Sequence, residues 1–163
     1  MQSEDLGLAL KLKWIASIQS VGRMKALHMA EERLGPELIG FAYPWREFLD
    51  RGGLLVNGAD GPVESVNPFE GLYAAVSRKD LAGNPPGGWR PQDKLSRLEA
   101  LSTYTTWAAY SEFNEKRKGV LNPGKLADFA VIDRDLFTCP EDELKDIKVM
   151  MTVLGGEIVY SRA

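Results

Sequence analysis

The apolar run Leu54-Leu55-Val56 ends in Asn57-Gly58-Ala59-Asp60-Gly61-Pro62, so a short strand-like segment delivers one carboxylate where the chain breaks into a loop. That placement suits chemistry. A carboxylate can orient a water molecule, take its proton and pass it to a leaving group. Gly58 and Gly61 flank it and leave room for a substrate or an ion to approach the backbone. The competing reading is structural, because an Asp before a Gly frequently caps its own turn. Glu64 is a second acid on the same loop, four residues on, of a kind that more commonly caps or pairs than reacts.

Few other residues could join Asp60. His28 is the single histidine, and it sits in Met24-Lys25-Ala26-Leu27-His28-Met29. One His and one Asp do not fill a zinc site, which wants at least three protein ligands. The bland reading of His28 is a surface histidine; the sharper one places it at the mouth of a substrate site. Cys139 is the single cysteine and forms no intrachain disulfide, which fits a reducing compartment such as the cytoplasm. Lying before Pro140 with no histidine near it, Cys139 is a poor nucleophile candidate. Arg90 could contact an acidic substrate, although a surface salt bridge is the simpler expectation. Trp45, Trp89, Trp107 and Tyr104 could wall a substrate; their helical and loop positions fit core packing better.

The bulk composition narrows the classes further. The chain has 163 residues, 44% hydrophobic and 26% charged, as expected for a globular protein of one domain or a little more. Its net charge of -3 is spread over interleaved acids and bases, which leaves no electrostatic footprint for nucleic acid. No segment is long and apolar enough to span a bilayer, and Met1 to Asp5 is acidic where a secretory signal would be basic.

The elements that must position Asp60 follow from periodicity. Glu4 to Lys13 reads as an amphipathic helix with Leu6, Ala9 and Leu10 on one face. Trp14 to Ser20 reads as a buried strand and residues 21–37 as irregular or loosely helical. Ile39 to Asp50 reads as a second helix stopped by Gly52-Gly53, and Leu54 to Gly58 as a second strand. Strand, helix, strand with connections of this length implies parallel pairing and a right-handed crossover. Phe69 to Lys79 is expected to be helical, and Gly83 to Pro91 to be a loop with Trp89 packed onto something. Ser96 with Glu99 forms a capping box that opens a helical region reaching Phe113, kinked near Thr105-Thr106. Beyond Lys118 the character changes. Asp128 to Asp133, Ile147 to Leu154 and Glu157 to Tyr160 read as strands, the last two joined by a Gly155-Gly156 hairpin turn. Residues 1–118 are therefore expected to form a β/α portion and 119–163 a small antiparallel β portion.

The segments "GADGPVES", "WIASIQS", "NPFEGLYAAVSRKD" and "KGVLNPGKLADFAVIDRD" resemble, in order and spacing, the C-terminal third of amidohydrolase family 3, metal-dependent hydrolases of the amidohydrolase superfamily. The resemblance covers the whole chain. It implies an α/β fold: strands seven and eight of a (β/α)8 TIM barrel with their helices, then part of a small composite β-sandwich. It implies hydrolysis of C–N bonds in small amide-, urea- or carbamate-type substrates, with a divalent metal, zinc foremost, in the full-length enzyme. Asp60 would be the strand-eight aspartate that binds or adjoins the metal and takes the water's proton. His28 and Glu64 would be minor substrate contacts.

The sequence departs from that pattern in what it lacks. It has no His-x-His pair, and the chain is expected to begin after the family's strand-six histidine, so that it holds no metal alone. After Gln19 come Ser20, Val21 and Gly22 instead of the Pro-x-His common in the family. Two parallel strands cannot close a barrel, so their edges are expected to be covered by self-association. Two readings result: an amidohydrolase fragment inactive by itself, or a non-catalytic assembly module derived from that fold.

Overall fold

Leu6 and Ala9, both buried, fix the first helix against the core, as their spacing predicts. The computed structural model describes residues 3–162, and at Ser3 and His28 the backbone only. This first helix, α1, is Ser3–Lys11. β1, Ile15–Ile18, follows it, and β2 is Leu54–Asn57. The two strands pair in parallel with Ile15 opposite Leu54 and Ile18 opposite Asn57. One face of the pair carries Ile18 and Leu55 into the core. On the other, Ser17 is exposed and Leu54 and Val56 are half-buried.

The crossover between the strands is more helical than its sequence suggests. It forms α2, Ser20–Lys25, and α3, Leu27–Leu38. Gly35 at φ 69° kinks α3 just before Pro36. The single helix expected over Ile39 to Asp50 is split into a 3-10 turn, Ile39–Phe41, and α4, Trp45–Asp50. Pro44 explains the split: it donates no hydrogen bond and bars Tyr43 from helical geometry, and Tyr43 adopts φ 51°. Trp45 and Phe48 of α4 are buried, as expected.

α5, Pro68–Ser77, is the central helix. Eight of its residues, from Phe69 to Ser77, are buried, and Asn67 caps it by accepting the Phe69 N–H at 3.1 Å. The loop beyond α5 folds back with Trp89 packed on the core. α6, Arg97–Tyr104, begins in the expected capping box. It breaks at Thr105 (φ −125°, ψ −91°) before α7, Thr106–Ser111.

β3, Phe129–Ile132, β4, Val149–Leu154, and β5, Glu157–Ser161, form an antiparallel sheet in that order. Gly155 and Gly156 both take positive φ, which the tight turn between β4 and β5 requires. A 3-10 helix, Glu141–Asp146, packs its Leu144 with Leu136 and Ile147 into the same apolar core as α5. Outside that contact the sheet is open: Phe129, Val131, Ile158, Val159 and Tyr160 are exposed.

Candidate functional site

The C-terminal ends of β1 and β2 are tied together by one side chain. The Asn57 carboxamide accepts from the Ser20 N–H at 3.2 Å and donates to Ser20 Oγ at 2.8 Å. Ser20 Oγ donates in turn to the Gly71 carbonyl at 2.8 Å. Gly58 N–H donates to the Ile18 carbonyl at 2.9 Å and extends the parallel pairing one step. The two strand ends and the start of α5 are thus fixed to one another directly below the loop that bears Asp60.

Asp60 lies three residues past the end of β2, at φ 54° and exposed. Asp is among the few non-glycine residues that take this left-handed conformation at low cost. The turn is closed by the Asp60 backbone carbonyl, which accepts the Val63 N–H at 2.9 Å. The carboxylate stands at the surface, at the strand end where β/α folds place their chemistry. Glu64 is turned elsewhere. Its carboxylate meets Lys25 Nζ at 3.4 Å, and it lies against Gly22 of α2. His28 falls within α3 by its backbone, and its side chain lies outside the described residues.

The aromatic residues divide. Trp45 is buried, and Trp89 and Trp107 pack on the core from partly buried positions. Tyr104 takes the wall position that its helical place in the sequence had weighed against. It lines a cavity of about 400 Å3 with Gly58, Ala59 and Gly61, the residues flanking Asp60. Burial pushes its phenol up to about 12. A second cavity of about 390 Å3 lies beside β1, between Gln19, Arg23, Tyr43 and the apolar side chains of Leu6 and Phe41. Arg90 pairs with Asp93 at 2.8 Å, the plain salt bridge expected of it. Cys139 sits under Arg97, which donates to its carbonyl at 2.6 Å.

Among the described residues no group of three or more His, Cys, Asp or Glu is placed to hold a metal ion. Among the described residues, too, no helix is long and apolar enough to cross a membrane.

Comparison with known proteins agrees with this geometry. The model of the Amidohydrolase family matches residues 2–160. The chain is 31% identical over 132 residues to YtcJ of Bacillus subtilis (strain 168), covering 81% of this chain and 25% of that protein, whose name describes an amidohydrolase. It is 32% identical over 120 residues to the N-substituted formamide deformylase of Arthrobacter pascens, covering 74% of this chain and 22% of that protein. An uncharacterized metal-dependent hydrolase from Pyrococcus horikoshii OT3 superposes with a TM-score of 0.69 at 23% identity, over 86% of this chain and 28% of that one. The chain thus spans about a quarter of the length of the curated relatives it matches. Its two parallel strands with their helices are a piece of a TIM barrel, followed by sheet strands. Matched along nearly its whole length, the chain belongs to the amidohydrolase family.

Proposed function

We propose that the chain supplies the Asp60-bearing quarter of a hydrolase acting on C–N bonds in small amide-, urea- or carbamate-type molecules. Residues 1–118 belong to the barrel and 119–163 to the β-sandwich in this reading. The observation that carries it is the position of Asp60: exposed, on a left-handed turn, at the C-terminal end of the second of two parallel strands. From there the carboxylate takes a proton from an attacking water and passes it to the leaving nitrogen. Among the described residues no group of three or more His, Cys, Asp or Glu is placed to hold the family's metal, which would polarise the scissile carbonyl where the rest of the ligand set is supplied. The chain alone is expected to be inactive. His28 and Glu64 are at most peripheral to substrate, Glu64 being engaged with Lys25.

Amide hydrolysis by the chain alone and by the chain joined to the family's remaining barrel strands tests this. Activity is expected in the joined form only, and Asp60→Asn there should lower turnover by roughly 100-fold or more. Turnover within a few-fold of the parent would remove Asp60 from the chemistry.

A second reading, a non-catalytic assembly module in the cytoplasm, is favoured by the open sheet of β3, β4 and β5 with its exposed apolar residues. In this reading copies of the chain cover one another's strand edges. Native mass spectrometry of the purified chain reports assembly and bound metal together. A metal-free oligomer fits a catalytically inactive chain that buries its edges against itself, and a species with metal in fixed stoichiometry would mean a rebuilt site and overturn the inactive reading.

A further inference from the structure

The cavity of about 400 Å3 beneath the Asp60 loop has a distinctive lining. Its size falls within the range of small-molecule sites, roughly 300–1,000 Å3. Val21, Ala59, Val66 and Pro68 supply apolar surface, Ser65, Asn67 and Tyr104 supply neutral polar groups, and no Asp, Glu, Lys or Arg lines it. A charged ligand group would lose its hydration there without gaining a counter-charge. The cavity therefore selects for neutral groups.

Tyr104 is the long polar side chain in the wall. It reaches the cavity across α5 because residue 71 is a glycine: a Cβ at Gly71 would stand 1.9 Å from the phenolic oxygen. Burial raises the phenol pKa to about 12. The hydroxyl is held neutral and serves as a donor. The adjacent Asn57–Ser20–Gly71 chain is satisfied internally and does not compete for it.

We infer that this cavity is a binding subsite for the uncharged end of an amide-type small molecule, with the Tyr104 hydroxyl donating to its carbonyl oxygen and Val21, Ala59 and Val66 against its apolar part. The amide class rests on the hydrolase reading; the binding does not depend on turnover.

The test is an NMR titration of the isotope-labelled 163-residue chain with acetanilide, and in parallel with benzoate and benzylammonium. Acetanilide is expected to shift the Gly58, Ala59 and Gly61 amides saturably, and the two ions are expected to leave them in place. Tyr104→Phe keeps the ring and should weaken acetanilide binding by roughly five- to tenfold, the loss of one hydrogen bond. Ala59→Leu puts a larger side chain on a lining residue and should abolish the shifts. Absence of a saturable shift, equal binding of either ion, or full affinity in both variants overturns the subsite. Asp60→Asn is expected to leave acetanilide binding intact whatever it does to turnover, so failure of the subsite and failure of the hydrolase reading give different results.

Discussion

Arg78 and Trp89 hold each other from both ends. The Trp89 N–H donates to the Arg78 carbonyl at 2.8 Å, and Arg78 Nε donates to the Trp89 carbonyl at 3.1 Å. The guanidinium also lies 4.8 Å from the Trp89 ring centre and 4.5 Å from that of Trp45. Arg78 is fully buried, and burial lowers its pKa to about 10, so it remains a cation at neutral pH. The two indole faces replace part of the hydration that burial removes. This sandwich fastens the Gly/Pro-rich loop to α5 and α4.

Arg78→Ala should therefore cost about 3 kcal/mol or more in urea unfolding, since it empties the space between two rings and releases the loop. Arg78→Met keeps most of the volume and should cost distinctly less. Equal costs would mean that the charge, and not the packing, holds the loop.

Glu99 gives a stability signature at low pH. Bidentate hydrogen bonds from Arg46 at 2.8 and 2.9 Å are the largest cause holding its carboxyl down to about 2, and Ser96 adds to them. A carboxylate with a depressed pKa contributes stability that is full above its ordinary value near 4.5 and is lost as pH falls through about 2. Glu99→Gln should lose about 1–2 kcal/mol at pH 7, from the capping box and the ion pair together. The difference from the parent should shrink across that window and vanish near its lower end, as denaturation curves at pH 7, 4 and 2 would show.

Gly71 and Tyr104 should be energetically coupled. In Gly71→Ala the new methyl meets the phenolic oxygen, at a cost of about 1–3 kcal/mol as overpacking. Tyr104→Phe removes that oxygen and should recover much of the loss. A double-mutant cycle showing simple additivity would place the tyrosine hydroxyl away from α5.

Asn57 ties the strand ends through Ser20, and the Ser20 side chain is buried. Asn57→Ala leaves the Ser20 N–H without its partner and should cost about 2 kcal/mol. Adding Ser20→Ala should cost less than the sum of the separate losses, because both remove members of one hydrogen-bond chain. Thermal unfolding of the four proteins checks this.

Local chemistry was legible in the sequence. Ser96 with Glu99, Gly155 with Gly156, and the parallel pair ending near Asp60 carry their signals within a few residues, and each is found as expected. The helical crossover between β1 and β2 was obscured because Gly22, Gly35 and Pro36 interrupt its apolar period. The helix break at Tyr43-Pro44 had a signal, the proline itself, that the flanking apolar residues outweighed. Arg78 in the core had none, and Tyr104 had an aromatic signal that its helical position outweighed. A charged residue reads as exposed until its two tryptophans are brought to it by the fold. The fit of Tyr104 over Gly71 joins two helices and exists only in three dimensions. The sequence therefore shows a carboxylate just past a strand end at Asp60, and it does not show the packing of the wall beneath it.

The parallel register of β1 and β2 sets a directional rule. In a closed barrel of eight parallel strands every member points the same way and the two edges of any excised arc are unlike. The edge of β1 and the edge of β2 are therefore not interchangeable docking surfaces. Whatever completes the sheet has to enter with its own strands running from the same end. A companion presented head to foot could form hydrogen bonds along one edge, and it would carry its strand tips to the wrong rim, away from Asp60. Orientation is thus the first requirement on any strand that pairs with either edge of β1 and β2 in a barrel.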